Sequence, residues 1–259
     1  MLLDTLRSLR AYRPGIAYIL SNTLYLAPTA RSPAGRTMRS LRGPIFEDPA
    51  DGGFATLDPS RFSTAPLPKS RDSQQASTAE QTGFQPLGEG EAEPSASELA
   101  TLVEEFFSAV GDGASHDVVF QGNGDPLEAA QVVVDTVQLV GRRREGVNFR
   151  LNTLGLVDAG TADRVLSSAV LSDMPGEITG ITAVSVFLPA AESGLYASLL
   201  QPCEGRGFDD ACSFVSRAAA AGVNVEVTAV DRPDVDVREV EALALRLGAQ
   251  SFRTRSWVG

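Results

Sequence analysis

The sequence predicts an α/β protein built on six parallel strands. From residue 98 onward, apolar patterns of strand and helix period alternate without a break. The intervening helices are long enough to cross between parallel strands, and Gly222 and Gly248 follow two of them where a left-handed residue ends a helix. Repeats of this kind make right-handed βαβ crossovers and a parallel sheet. Six strands are too few for a closed eight-stranded barrel, so an open, curved six-stranded barrel or a doubly wound sheet remains.

The elements follow in order. Two apolar runs, Ile16–Leu20 and Leu24–Ala27, flank Ser21, Asn22 and Thr23 and read as a hairpin whose second arm is the first parallel strand. Residues 66–97 are rich in Pro, Ser, Gln, Gly and Glu and hold few large apolar side chains, too few to offset the entropy of ordering them. They are expected to be a disordered insertion between an N-terminal segment, 1–65, and the rest of the barrel, 98–259. Leu99, Leu102, Val103, Phe106 and Phe107 then recur at helical spacing, with Ser97 as the expected N-cap. Strands are expected at Asp117–Gln121, Val147–Asn152, Ile181–Leu188, Val223–Val230 and Ser251–Thr254. Helices are expected at Leu127–Val140, Ala162–Leu171, Asp209–Ala221 and Val237–Leu247.

The chain has 259 residues and a formal charge of -11, which disfavours a phosphate backbone as main partner. It has no apolar run long enough for a membrane span and no secretory-type apolar core, so a soluble intracellular protein is expected. Between Met1 and Gly43, Arg7, Arg10, Arg13, Arg31, Arg36, Arg39 and Arg42 face one acid, Asp4, which is the composition of an organellar import segment. The chain as a whole prefers arginine, since Lys69 is its only lysine, and this explains much of the bias. Cys203 and Cys212, with His116 the only histidine, cannot build a four-ligand zinc or iron–sulfur site, and small buried side chains are expected of both cysteines.

In either sheet architecture ligands bind beyond the C-terminal strand ends. After the second parallel strand stands GNGDP, Gly122–Pro126. Its glycines permit a tight turn with free amides, and Asp125 can accept from a ligand ammonium or simply cap the following helix, with Pro126 at its first position. After the third stands RLNTLG, where Asn152 and Thr153 suit a ribose or a carboxylate, or a turn. The fifth ends in VDRPDVD. Asp231, Asp234 and Asp236 there suit a divalent cation, whereas Asp234 or Asp236 more simply caps the helix at Val237.

The strings TLYLAPTAR, VVFQGNGDP, FRLNTLG, AVSVFLP, LYASLLQP and VEVTAVDRPDVD, in this order, resemble the radical S-adenosylmethionine (SAM) superfamily, most nearly its TatD-linked members. The likeness covers about Ile16–Arg39 and Ser115–Arg255. It implies a partial (β/α)6 barrel of radical SAM type. It also implies, after the first strand, a CxxxCxxC run that ligates a [4Fe-4S] cluster. Here those positions are Ser32, Arg36 and Arg39, and neither a hydroxyl nor a guanidinium replaces a thiolate. The acidic turn that receives the SAM ammonium corresponds to Gly124, Asp125 and Pro126, with Asn152 and Thr153 near the ligand.

The resemblance therefore implies a pseudoenzyme that lacks the cluster, keeps at most a relic SAM site, and binds a protein partner or a small anionic metabolite. Arg36 and Arg39 would hold a phosphate or carboxylate if they point into the old pocket, and otherwise lie on a mobile loop in solvent. Two alternatives stay open. One is an active radical SAM enzyme whose cluster is held in non-standard fashion. The other is a metal-dependent hydrolase or lyase using Asp125, Asp231 and Asp234.

Overall fold

The computed structural model of the chain describes residues 9, 11–20, 23–43, 87, 91–110, 117–171 and 178–258. Arg7, Arg10, His116 and residues 66–86 and 88–90 of the expected insertion lie outside the described residues.

The predicted hairpin forms: β1 (Ala17–Leu20) pairs antiparallel with β2 (Thr23–Leu26). Helix α1 (Ala96–Val110) follows, burying Leu99, Leu102, Val103 and Phe106 on one face. Its cap is Ser95 and not the expected Ser97, because Glu98 decides the register. The Glu98 amide donates to Ser95 Oγ at 3.2 Å and the Ser95 amide donates back to the Glu98 carboxylate at 2.8 Å, a reciprocal capping box.

β3 (Val118–Phe120) leads through a 3-10 turn, Pro126–Ala129, into α2 (Ala130–Gly141). Then come β4 (Asn148–Thr153) and α3 (Ala159–Leu166). Helix α3 ends five residues short of the expected Leu171. Ser167 Oγ and Ser168 Oγ turn back on the carbonyls of Asp163 and Val165, both at 2.7 Å, and a short β5 (Val170–Leu171) pairs antiparallel with β6 (Ile178–Phe187). Helix α4 (Ser193–Leu200) was not among the expected elements, since SGLYASLL is apolar without a clear polar face. It closes with Gln201 in the left-handed region at φ 53°. α5 (Phe208–Ala220), β7 (Asn224–Asp231), α6 (Val237–Arg246) and β8 (Ser251–Ser256) complete the chain close to the expected positions. Gly222 and Gly248 sit at φ +77° and +98° as expected.

The sheet runs β1-β2-β3-β4-β6-β7-β8. β2, β3, β4, β6, β7 and β8 are mutually parallel, and β1 and β8 are its edges. It is open, and residues of both its halves line one cavity, so it curves into the partial barrel expected.

Alternation divides every strand between two faces. One carries Phe120, Phe149, Leu151, Val184, Val186, Val225 and Val227, all buried, with the Phe120 and Phe149 rings stacked at 5.3 Å. Burying each such side chain contributes about 1.5–3 kcal/mol, so this face and the helices hold the fold. The other face is polar toward the C-terminal ends: Gln121, Arg150, Asn152, Ser185, Glu226, Thr228, Arg253 and Arg255.

Candidate functional site

The polar face opens at the strand ends into a cavity of about 230 Å³. Gly124, Asp125, Asn152 and Thr153 line it, together with Ser32 and Arg39 from the loop after β2. Pro126 and Arg36 are not among its lining residues. Met38, Leu154 and Phe187 give it an apolar wall.

The GNGDP turn is shaped by a close neighbour. A Cβ on Gly122 would stand 2.5 Å from the Ala27 side chain, and one on Gly124 2.4 Å from the Arg31 carbonyl. The glycines thus let this turn lie against the segment leaving β2. The Gln121 amide bonds Leu26 O and the Asp125 amide bonds Arg31 O, both at 2.8 Å.

Asp125 is only 5% exposed. Its carboxylate accepts from the Leu127 amide at 2.9 Å, the Leu154 amide at 2.6 Å and Thr153 Oγ1 at 2.7 Å. Burial pushes its carboxyl above the usual carboxylate range, and these bonds oppose that shift. It caps the turn and pins the end of β4 beside it.

Behind that wall a polar network crosses four strands. Asn152 Nδ2 donates to Gln121 Oε1, and Asn152 Oδ1 accepts from Arg150 Nε at 3.1 Å. Arg150 and Arg253 reach Glu226 at 2.7 and 2.6 Å, and Ser185 Oγ donates to Glu226 at 3.1 Å. Burial alone would push the Glu226 carboxyl up. The Arg253 hydrogen bond and the charges of Arg150 and Arg253 outweigh it and hold the carboxyl below its usual value.

The loop after β2 runs as a strap across the strand ends. Gly35 donates to Gln201 O at 2.8 Å, Arg36 to Leu200 O at 3.1 Å, and Cys203 back to Pro33 O at 2.9 Å. Further on, Val258 donates to Arg42 O at 2.6 Å, Arg42 Nε to Ser256 O at 3.3 Å, and Arg232 to Leu41 O at 3.2 Å. The strap therefore ties the β2 half of the sheet to its far edge, β8.

Within the strap, Ser32 Oγ is engaged by its own loop: it donates to Ala34 O at 2.9 Å and accepts from the Ala34 amide at 3.3 Å. Arg39 reaches the cavity from the strap and Arg255 from β8. Burial lowers the proton affinity of both, Arg42 lowers it further at Arg39, and Arg253 and Arg42 do so at Arg255. Arg255 Nε is buried and, among the described residues, has no hydrogen-bond partner.

The acidic run after β7 does not converge. Asp234 is clamped by Arg232 at 2.8 and 3.0 Å, Asp236 caps α6 through the Arg238 amide at 2.9 Å, and Asp125 belongs to another loop. Among the described residues no three His, Cys, Asp or Glu side chains group as a metal site. The cysteines differ from the expected buried pair: Cys203 is exposed, and Cys212 in α5 is half-buried, its thiol pushed up by burial to about 11. Of the N-terminal arginines, Arg13 pairs with Glu98 at 3.4 Å and Arg31 with Glu93 at 3.0 Å, so residues 93–98 serve partly to hold the hairpin end.

A second, larger cleft of about 450 Å³ lies between Arg31, Glu128, Asp158, Arg206 and Asp210. Most of its charges are already engaged: Arg206 with Glu128, Arg31 with Glu93, Asp158 with the Thr161 amide and Asp210 with the Gly207 amide. The strand-end cavity is the stronger candidate. Arg255, Gln121, Ser185 and Thr228 belong to it and were not singled out in the sequence. For Ser185 and Thr228 the signal was available as polar residues on otherwise apolar strands; Arg255, on the polar strand β8, carried none.

No family model matches the chain, and no curated protein matches it. Among solved structures, SuiB from Streptococcus suis bound to S-adenosylmethionine aligns with a TM-score of 0.46 at 11% identity over 65% of this chain and 35% of that one. SuiB bound to its precursor peptide SuiA aligns with a TM-score of 0.45 at 11% identity, over 65% and 34% of the two chains. The radical SAM methyltransferase TsrM from Kitasatospora setae, with cobalamin and a [4Fe-4S] cluster bound, gives 0.42 at 17% identity over 61% and 30%. The chain spans about a third of the length of these proteins.

Proposed function

We propose that this chain is a radical SAM-like barrel that no longer builds a cluster and serves as a non-catalytic binder of a small ligand at its strand ends. One observation carries the reading. Ser32, at the first of the positions that would supply thiolates, spends its hydroxyl on its own loop, and Arg39, at the last, brings a guanidinium into the cavity. Cys203 and Cys212 are not among the lining residues, so the cavity offers no thiolate. A guanidinium has no lone pair to give and adds positive charge beside cationic iron, so these residues do not fit a [4Fe-4S] cluster.

Gly124, Asp125, Asn152 and Thr153 then form the polar wall of a binding pocket. Asp125 acts on it indirectly, by fixing the end of β4. The volume of about 230 Å³ is below the range of about 300–1,000 Å³ usual for drug-sized ligands, which favours a compact metabolite. The test is anaerobic reconstitution with iron and sulfide followed by elemental analysis. Iron at background supports the reading; a stoichiometric four-iron content overturns it.

A further inference from the structure

Neutral polar groups on the cavity floor carry hydrogen bonds whose directions are set by one ion pair beneath them. Arg150 and Glu226 meet at 2.7 Å. The guanidinium can only donate, and the ionised carboxylate can only accept. On one side Arg150 Nε donates to Asn152 Oδ1, which turns Asn152 Nδ2 toward Gln121 Oε1. Gln121 Nε2, with no partner among the described residues, is thereby left as a donor. On the other side Ser185 Oγ gives its single hydrogen to Glu226 at 3.1 Å, so its 3.1 Å contact with Thr228 takes the hydrogen of Thr228. Thr228, only 3% exposed, then has lone pairs on Oγ1 but no hydrogen for anything else. Gln121, Asn152, Ser185 and Thr228 all line the cavity. Chains of hydrogen bonds polarise in one sense along their length, so the floor meets a ligand with a donor at β3 and an acceptor at β7.

Resting on the proposed binding role, we infer that the cavity holds an uncharged linear polyol or sugar, read by Gln121 Nε2 as donor and Thr228 Oγ1 as acceptor, and not the anion expected from the sequence. An ionised carboxylate or a phosphate dianion takes the hydrogen of Gln121 but has none to give Thr228, whereas a hydroxyl does both. β4 and β6 lie between the two reading groups, so they are three strand spacings of about 4.8 Å apart along the curved sheet. A single functional group does not serve both, and the ligand must carry hydroxyls along its length. Arg255 Nε, buried and without a hydrogen-bond partner among the described residues, adds a donor from β8 that a hydroxyl oxygen satisfies. Met38, Leu154 and Phe187 supply an apolar wall for the carbon chain.

The experiment is titration of the iron-free, nitrogen-15-labelled chain with D-sorbitol, read by NMR at the side-chain amides of Gln121 and Asn152. Saturable shifts of both are expected, with acetate and the shorter glycerol each at least ~10-fold weaker. Thr228→Val and Gln121→Glu are each expected to lose at least ~10-fold in sorbitol affinity, about 1.4 kcal/mol, while Thr228→Ser keeps it. In Gln121→Glu the side chain still accepts from Asn152 but offers the ligand no hydrogen, which separates the direction of the bond from the shape of the group. No saturable shift with sorbitol, equal binding of acetate, unchanged affinity in either weakened variant, or tighter binding of adenosine than of sorbitol would overturn the inference. If the variants do not fold, the comparison of sorbitol, glycerol, acetate and adenosine on the unaltered chain decides. These readouts do not depend on iron, so their failure leaves the cluster-free reading standing, and iron uptake would refute that reading whatever sorbitol does.

Discussion

Asp125 shows how one buried carboxylate can hold two strand-end loops together. It satisfies the Leu127 and Leu154 amides and the Thr153 hydroxyl, joining two strand-end loops that are 28 residues apart in sequence. Asp125→Ala orphans two buried amides at about 1–3 kcal/mol each, so thermal unfolding should fall by about 5–15 °C. Glu226 makes the opposite electrostatic case. Its folded-state carboxyl is held below the usual value, so its stabilising contribution is present above about pH 4.3 and is lost as pH falls through the lower folded value. Glu226→Gln should therefore weaken the chain at pH 7 and flatten the acid limb of its stability curve, measured by urea unfolding between pH 3 and 7. An unchanged acid limb would mean that Arg150 and Arg253 do not depend on it. At this scale the sequence was partly legible. The pattern GNGDP announced Asp125 as cap, because a cap is a local relation. Arg255 was hidden because nothing local marks it on the polar strand β8, and only the fold brings it to the cavity.

Among the elements, the strap from Pro28 to Gly43 does most to define the cavity. It meets the GNGDP turn and the end of α4 through backbone groups, and then β8 through the Arg42 side chain and the Val258 amide just beyond it. Gly43 is the terminal fastening: its φ is +125°, and a Cβ there would stand 1.8 Å from the Val258 carbonyl. Gly43→Ala should detach the strap from β8, raise hydrogen exchange at the Val258 amide and loosen ligand binding, while exchange in the β4–β6 core stays slow. Exchange at Val258 that does not change would show that the strap is not held there. Sequence periodicity found the strands and the long helices because each has one buried face. It missed α4, whose apolar residues leave no contrasting face, and it ran α3 on to Leu171, where two serine hydroxyls compete for the helical carbonyls. Ser95 and Ser97 were equal caps by residue type, and only the return bond from Glu98 separates them.

For the whole molecule, the order of elements sufficed to predict an open sheet of six parallel strands, and the curved arrangement follows. Curvature brings the two halves of the sheet to a common mouth, and with them arginines that a net charge of -11 conceals. The strand-end pocket is lined by guanidinium, hydroxyl and amide groups, and on the proposed reading these stand where a radical SAM barrel would present thiolates. Such a pocket can bind a small polar ligand, but it lacks the ligands for one-electron chemistry on iron. That claim is tested most directly by incubating the anaerobically reconstituted chain with S-adenosylmethionine and dithionite and measuring 5′-deoxyadenosine by chromatography. The account predicts none above a protein-free control; catalytic or stoichiometric deoxyadenosine would contradict it.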